Sequence, residues 1–290
     1  PYLFPLLGKK VLDKGYSLPL PWGLNFNYFF TEQDIVISDL KVGFNDGPLL
    51  PMDFIEFEKT TSTAQSGNLR VDLWLFPFLN VYGIVAGAST ATNVDISWPI
   101  QISTEANFSG TGVGGGLTGA YGYEGYWVSL DTNWVSMNLD KLDDNVVTHV
   151  LSVRAGKGFT FKNGMQLAVW GGAMRVDISS ETMGQLSLSE LFPGMDPGQT
   201  IDDIVVSGRL DPVQEEILEE LKNQAGGSLP DEVVVKYSLN KSIADPWNML
   251  LGAQLELSKH WYLRTEVGLF GRFSVLASVQ YRFGLPFFKI

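Results

Sequence analysis

From Trp261 to Phe283 the chain alternates in side-chain character, residue by residue. Trp261, Leu263, Thr265, Val267 and Leu269 occupy one set of positions; Tyr262, Arg264, Glu266 and Gly268 occupy the other. After Gly271-Arg272 the pattern resumes, with Phe273, Val275, Ala277, Val279, Tyr281 and Phe283 set against Ser274, Leu276, Ser278, Gln280 and Arg282. A period of two is the strand signature. Soluble strands usually run about five or six residues, whereas a tilted strand crossing a bilayer needs about 9–11. One face here is apolar and ends in aromatics, and the other carries charges. Such a wall has lipid on one side and a polar lumen on the other.

Composition supports that reading. No run of about 18 apolar residues exists, so a transmembrane helix is excluded. The mean hydropathy is only +0.07, as alternation averages a membrane signal away. The 12% aromatic content and 31 glycines suit aromatic girdles, tight turns and crowded strand positions. The absence of cysteine removes disulfides, thiolate metal sites and cysteine nucleophiles. A net charge of −12 argues against nucleic-acid partners. The chain opens at Pro1 without a basic or apolar leader, which is the expectation for a mature form.

Pro1, Pro5, Pro19 and Pro21 bracket an apolar-basic segment with Lys9, Lys10 and Lys14, so residues 1–21 are expected to form a tail before the first strand. That tail either enters the lumen as a plug or stays at the rim. Candidate strands follow at 22–30, 35–44, 54–59, 68–76, 81–88, 108–121, 126–137, 146–157, 165–178 and 247–259, before the final pair. Residues 92–104 are ambiguous between strand and loop. The count is about twelve, give or take two; an even number with alternating short and long connections fits a bacterial membrane barrel. In the second strand Leu40, Val42 and Phe44 are expected outward, with Asp39 and Lys41 inward.

Residues 179–245 lose the alternation. Asp211 as N-cap, Pro212 at the first helical position and the Ile217, Leu218, Leu221 stripe predict a helix over about 212–224, stopped by Gly226-Gly227. So long an excursion is expected to be functional or disordered, and it is expected on the outer face.

The whole resembles the transmembrane β-barrel proteins of diderm bacterial outer membranes, over 22–178 and 246–284. The resemblance implies an all-β, antiparallel up-and-down barrel in the outer membrane, in contact with its lipid or lipopolysaccharide. Barrels of that kind usually end in alternating aromatics, as Tyr281 and Phe283 do; the tail beyond Gly284, with Pro286, departs from the pattern. Either the signal is internal or Phe287-Phe288 anchor the periplasmic rim over 285–290. Expected interfacial aromatics are Trp22, Tyr28, Tyr126, Trp134, Trp247, Trp261, Tyr281 and Phe283.

Catalytic readings are weak. His149 shares parity with Val147 and Leu151, whereas Ser152 faces the other way, so no nucleophile–base pair forms. His260 sits in a turn, and two isolated histidines make no zinc site. The run Gly110, Gly112, Gly114, Gly116 lacks the ending of a phosphate loop; it removes inward side chains, either admitting a plug or solute or bending the wall. The inward charges are the main candidates: Asp39, Lys41, Arg70, Asp72, Asp131, Arg154, Glu256, Arg264, Glu266 and Arg282. Interdigitated, they fill the lumen with ion pairs; separated by sign, they line a wet path. The expectation is passive passage of small polar or amphiphilic solutes, without cofactor, metal or catalysis. The alternative is a closed barrel whose 179–245 insertion docks a protein or surface-layer partner.

Overall fold

The computed structural model describes residues 3–45, 47–99, 101–179, 181–187, 208–224 and 234–285. In chain order these form α1 (Gly8–Leu12), β1 (Trp22–Phe44), β2 (Leu50–Pro51), β3 (Glu56–Phe76), β4 (Leu79–Trp98), β5 (Ile102–Tyr123), β6 (Tyr126–Leu139), β7 (Val146–Thr160) and β8 (Gln166–Ile178). Then come β9 (Glu181–Ser187), α2 (Pro212–Gln224), β10 (Val234–Ile243), β11 (Trp247–Glu256), β12 (Trp261–Leu269) and β13 (Phe273–Phe283).

Every pairing is antiparallel. The wall runs β1-β3-β4-β5-β6-β7-β8-β11-β12-β13, and β13 returns to β1 from Trp22↔Phe283 to Glu32↔Phe273. The closed barrel therefore has 10 strands, with 3 further strands outside it, among the described residues. This corrects the expected count of about twelve. β1 is 23 residues long and β3 21, and each was read as two strands. Above Phe30 the outward positions become Glu32 and Asp34, so apolar alternation stops while backbone pairing with β3 continues. Residues 92–104, ambiguous in the sequence, belong mostly to β4 and β5. A strand does not end where the lipid ends.

Short turns at 77–78, 124–125, 161–165 and 257–260 lie at one end, where both described chain ends also lie. The remaining connections lie at the other. α1 and its flanks are tied to the short-turn rim. The Leu6 N–H donates to the Leu75 carbonyl (2.9 Å), the Trp74 N–H to Pro21 (2.9 Å), and Arg282 Nε to Leu20 (2.7 Å).

At the long-loop end the sheet continues as a collar. Where β13 leaves β1, β10 takes over the vacated edge, from Ile35↔Ile243 to Phe44↔Val235, and β9 pairs with β10. A Leu142↔Gly184 bridge links β9 to the β6–β7 connection. α2 starts as its residues require: Asp211 Oδ1 accepts the N–H groups of Val213 and Gln214, both at 2.9 Å. Its buried Leu218 and Leu221 pack with Phe44, Met52, Leu210 and Val235 into an apolar cap. The expected helix stop at Gly226-Gly227 and the Pro286, Phe287 and Phe288 positions lie outside the described residues.

Candidate functional site

The lumen holds a cavity of about 1260 Å3, and its walls change character with height. At the short-turn end they are polar and mutually bonded. Asp72, 1% exposed, accepts from Arg282 Nη2 (3.0 Å), Asn80 Nδ2 (2.6 Å) and Asn25 Nδ2 (2.7 Å). On β12, Glu266 takes a two-pronged grip from Arg154, Nε at 2.7 Å and Nη2 at 2.9 Å. Glu266 also accepts from Trp170 Nε1 (2.7 Å) and Arg264 Nη2 (3.2 Å). Asp131 accepts from the Tyr82 hydroxyl at 3.0 Å, and Arg70 lies 3.5 Å over the Tyr82 ring. These charges interdigitate rather than separate by sign. A buried charge must be paired or hydrated, and here Asp72–Arg282 and Glu266–Arg154 join strands that are not neighbours in the wall.

Of the ten expected lumenal charges, Arg70, Asp72, Asp131, Arg154, Arg264, Glu266 and Arg282 border the cavity. Glu256 faces Tyr262, which hydrogen-bonds to it near the short-turn rim. Asp39 and Lys41 are a correction: both are exposed on the outer face, while Leu40, Val42 and Phe44 point inward. Parity inverts because β1 carries a bulge between Ser38 and Lys41, with Asp39 at φ 53 in the left-handed region. One extra residue sends every later side chain to the opposite face.

The glycine run marks a close approach of two strands. A Cβ added at Gly114 or Gly116 would run into the backbone carbonyls of Trp134 and Thr132 on β6, so only glycine allows this approach of β5 to β6.

Above the ion pairs the walls turn apolar: Ile35, Ile37, Ile84, Val94, Ile96, Val135, Met137, Val150, Val176, Ile178 and Leu239 face inward. The α2 cap closes over this chamber, with Leu218 and Leu221 on its lining. Polar groups interrupt it, Ser62, Thr92, Thr104 and Thr148 among them, and on β9 and β10 Thr182 and Lys241. Burial pushes the Lys241 ammonium below the usual lysine pKa, and burial with the nearby Asp143 charge pushes Tyr237 up to about 12. Sequence reasoning missed these residues, although Val235, Tyr237, Leu239 and Lys241 alternate with Lys236, Ser238 and Asn240. It also missed Tyr82 and Trp170, whose parity with inward neighbours on β4 and β8 was a usable signal.

The outer face is apolar in a continuous belt, with Val85 60%, Val113 63% and Leu251 61% exposed. Trp261, Tyr281 and Phe283 stack against one another at the short-turn end, near Trp22 and on the same side as Tyr126. Tyr28, Trp134 and Trp247 stand nearer the other edge. His149 stacks on Trp134 at 4.8 Å, accompanied by Thr132 (2.9 Å) and Asp177 (3.9 Å), all on this outer surface; Ser152 is inside, held by Arg154. Large apolar side chains exposed around a closed, edge-free wall are stable only in lipid.

The chain is a membrane-spanning β-barrel.

No protein-family model matches the sequence, and no curated protein matches it. Among solved structures, it is similar to the β domain of the Bordetella autotransporter BrkA, at 9% identity and TM-score 0.41, covering 90% of this chain and 99% of that one. It is also similar to the COG4313 outer membrane channel from Pseudomonas putida F1, at 11% identity and TM-score 0.35, covering 92% and 97%. The Ralstonia pickettii toluene transporter TbuX is a further match, at 10% identity and TM-score 0.31, covering 92% and 90%.

Proposed function

We propose that this barrel passes small amphiphilic or hydrophobic solutes passively, with the apolar chamber as their holding site and no catalytic step. Short turns face the periplasm in bacterial barrels, which puts the chamber on the cell-exterior side and the ion-pair floor on the periplasmic side. The observation that carries the reading is the vertical division of the 1260 Å3 cavity. A drug-sized ligand needs roughly 300–1,000 Å3 of mostly apolar concavity with a few placed polar groups, and the upper lumen has that character. The floor of paired charges argues against a standing ion path, which narrows the sequence-based expectation away from polar solutes.

The test pairs two readouts on the folded protein. N-phenyl-1-naphthylamine, whose fluorescence rises in apolar surroundings, is expected to bind saturably and to lose its signal when the barrel is heat-unfolded. In planar bilayers the same preparation is expected to pass little ion current. Steady, large conductance with no saturable probe signal would replace this reading with a polar pore. A docking role for the outer insertion rests on the exposed Glu216, Glu219 and Glu220 of α2; co-purification of a partner that is lost with Lys substitutions there would favour it.

A further inference from the structure

Lys241 stands on the inner face of β10, opposite Ile37 of β1. Leu239, two residues earlier on that face, is opposite Thr182 of β9. Lys241 and Thr182 are therefore diagonal neighbours, within the roughly 7–8 Å over which cross-strand diagonals still reach one another. Both border the chamber.

Neither has found a partner. The Thr182 hydroxyl oxygen is buried without a hydrogen bond. Lys241 makes no hydrogen bond or ion pair among the described residues, and desolvation alone acts on its ammonium. Among the described residues no carboxylate acts on Lys241, and Asp143, close enough to weigh on Tyr237, is not felt there. Ile35 and Ile37 face Lys241 from β1, Val176 and Ile178 from β8, and Leu239 from β10. Asp39 is turned outward by the bulge and bonded to Asn240, and Asp177 is outward and gripped by Arg175. On the floor, by contrast, Asp72 pairs with Arg282, and Glu266 with Arg154 and Arg264. A desolvated ammonium and an orphaned hydroxyl side by side in an apolar chamber are costly unless something supplies the acceptor.

We infer that the chamber binds a monoanionic amphiphile, with its carboxylate between Lys241 and Thr182 and its apolar body against the aliphatic wall. The ammonium and hydroxyl both donate, and a carboxylate accepts from both at once. Selectivity follows from the same arrangement: a neutral analogue gains the wall but leaves the ammonium uncompensated, and a cationic one is repelled. This deepens the proposed passage of amphiphilic solutes and rests on it.

The experiment is displacement of N-phenyl-1-naphthylamine from the folded barrel in non-ionic micelles by dodecanoate, dodecanol and dodecyltrimethylammonium. Native protein is expected to release the probe at dodecanoate concentrations about 10-fold or more below those of dodecanol, as suits one hydrogen-bonded charge, with the cation weakest. Lys241→Met should erase the preference while dodecanol still displaces, Lys241→Arg should keep it, and Thr182→Val should reduce it in part. Heat-modifiable gel migration confirms that each variant is folded. Equal displacement by dodecanoate and dodecanol in native protein, or a preference that survives Lys241→Met, overturns the carboxylate site and leaves the apolar chamber standing. Failure of the probe to bind the folded native barrel overturns the chamber reading as well.

Discussion

Asp72 on β3 and Arg282 on β13, separated by 210 positions, meet at 3.0 Å over Gly23 of β1, on the floor of the lumen. Arg282 also reaches the Leu20 and Pro21 carbonyls ahead of β1. One guanidinium thus ties the last strand, the first strand and the N-terminal segment to a single carboxylate.

Removing that carboxylate should be expensive. Asp72→Ala leaves Arg282 buried without its counter-charge, and breaking such a pair costs about 3–5 kcal/mol. Urea unfolding in micelles should show that loss, and a double-mutant cycle with Arg282→Ala should return part of it. A midpoint unchanged by Asp72→Ala would mean that water reaches the pair freely.

Glu266 is the shared acceptor of Arg154, Arg264 and Trp170. Glu266→Gln keeps the volume and deletes the charge, leaving two guanidiniums close together with less to hold them. An anion-selective leak is the expected result, read as a shifted reversal potential under a KCl gradient. If the variant folds and stays silent, packing rather than charge seals the floor.

The lipid register makes a separate prediction. Val85 and Val279 are exposed on the belt, at 60% and 43%. Arg at either site should cost about 2–4 kcal/mol if it sits near mid-bilayer, measured by refolding into lipid vesicles. Tolerance at both would displace the belt. Asp39→Asn and Lys41→Gln, by contrast, should leave probe binding and conductance unchanged, because both side chains face away from the lumen.

Lys241 gives the pH dependence. Its folded pKa is depressed, so between that value and the ordinary 10.5 the unfolded chain binds the extra proton. Stability therefore rises with pH through that window. Lys241→Met should be the more stable protein at neutral pH, and the difference should shrink above about pH 10.4, the free lysine value. Urea midpoints at the two pH values decide it; a gap that stays constant would assign the effect to packing.

Much of this was legible before any coordinates. Lipid forces period two on every spanning strand, so the wall at Leu69, Val71 and Leu73 or at Leu263, Thr265 and Val267 reads directly from the residues. Outside the lipid that constraint lapses. Glu32, Asp34 and the Thr60–Gln65 stretch are paired strand without an apolar face, and no pattern marks them. The bulge at Asp39 is a local backbone choice, invisible to a parity count that it then inverts. The partners of Asp72 and Glu266 depend on which strands close the barrel, a long-range fact that alternation does not encode. The upper chamber was missed for a related reason: Thr182 and Lys241 come from β9 and β10, inside a segment whose neighbours show no strand signal.

The handover on β1, from β13 to β10 beyond Glu32, has a consequence for how this protein can change over generations. An ordinary surface loop of a barrel tolerates trimming, since its ends meet whether or not it is present. Here the excursion supplies the strand that covers an otherwise bare edge, and its helix roofs the chamber. Shortening it would expose a sticky ladder of unpaired amides and unroof the lumen together. In the proposed orientation, with the long connections outside the cell, the part of the molecule most open to immune and phage pressure is the part least free to drift in length, and variation there should take the form of substitutions on the outward face of α2 rather than deletions.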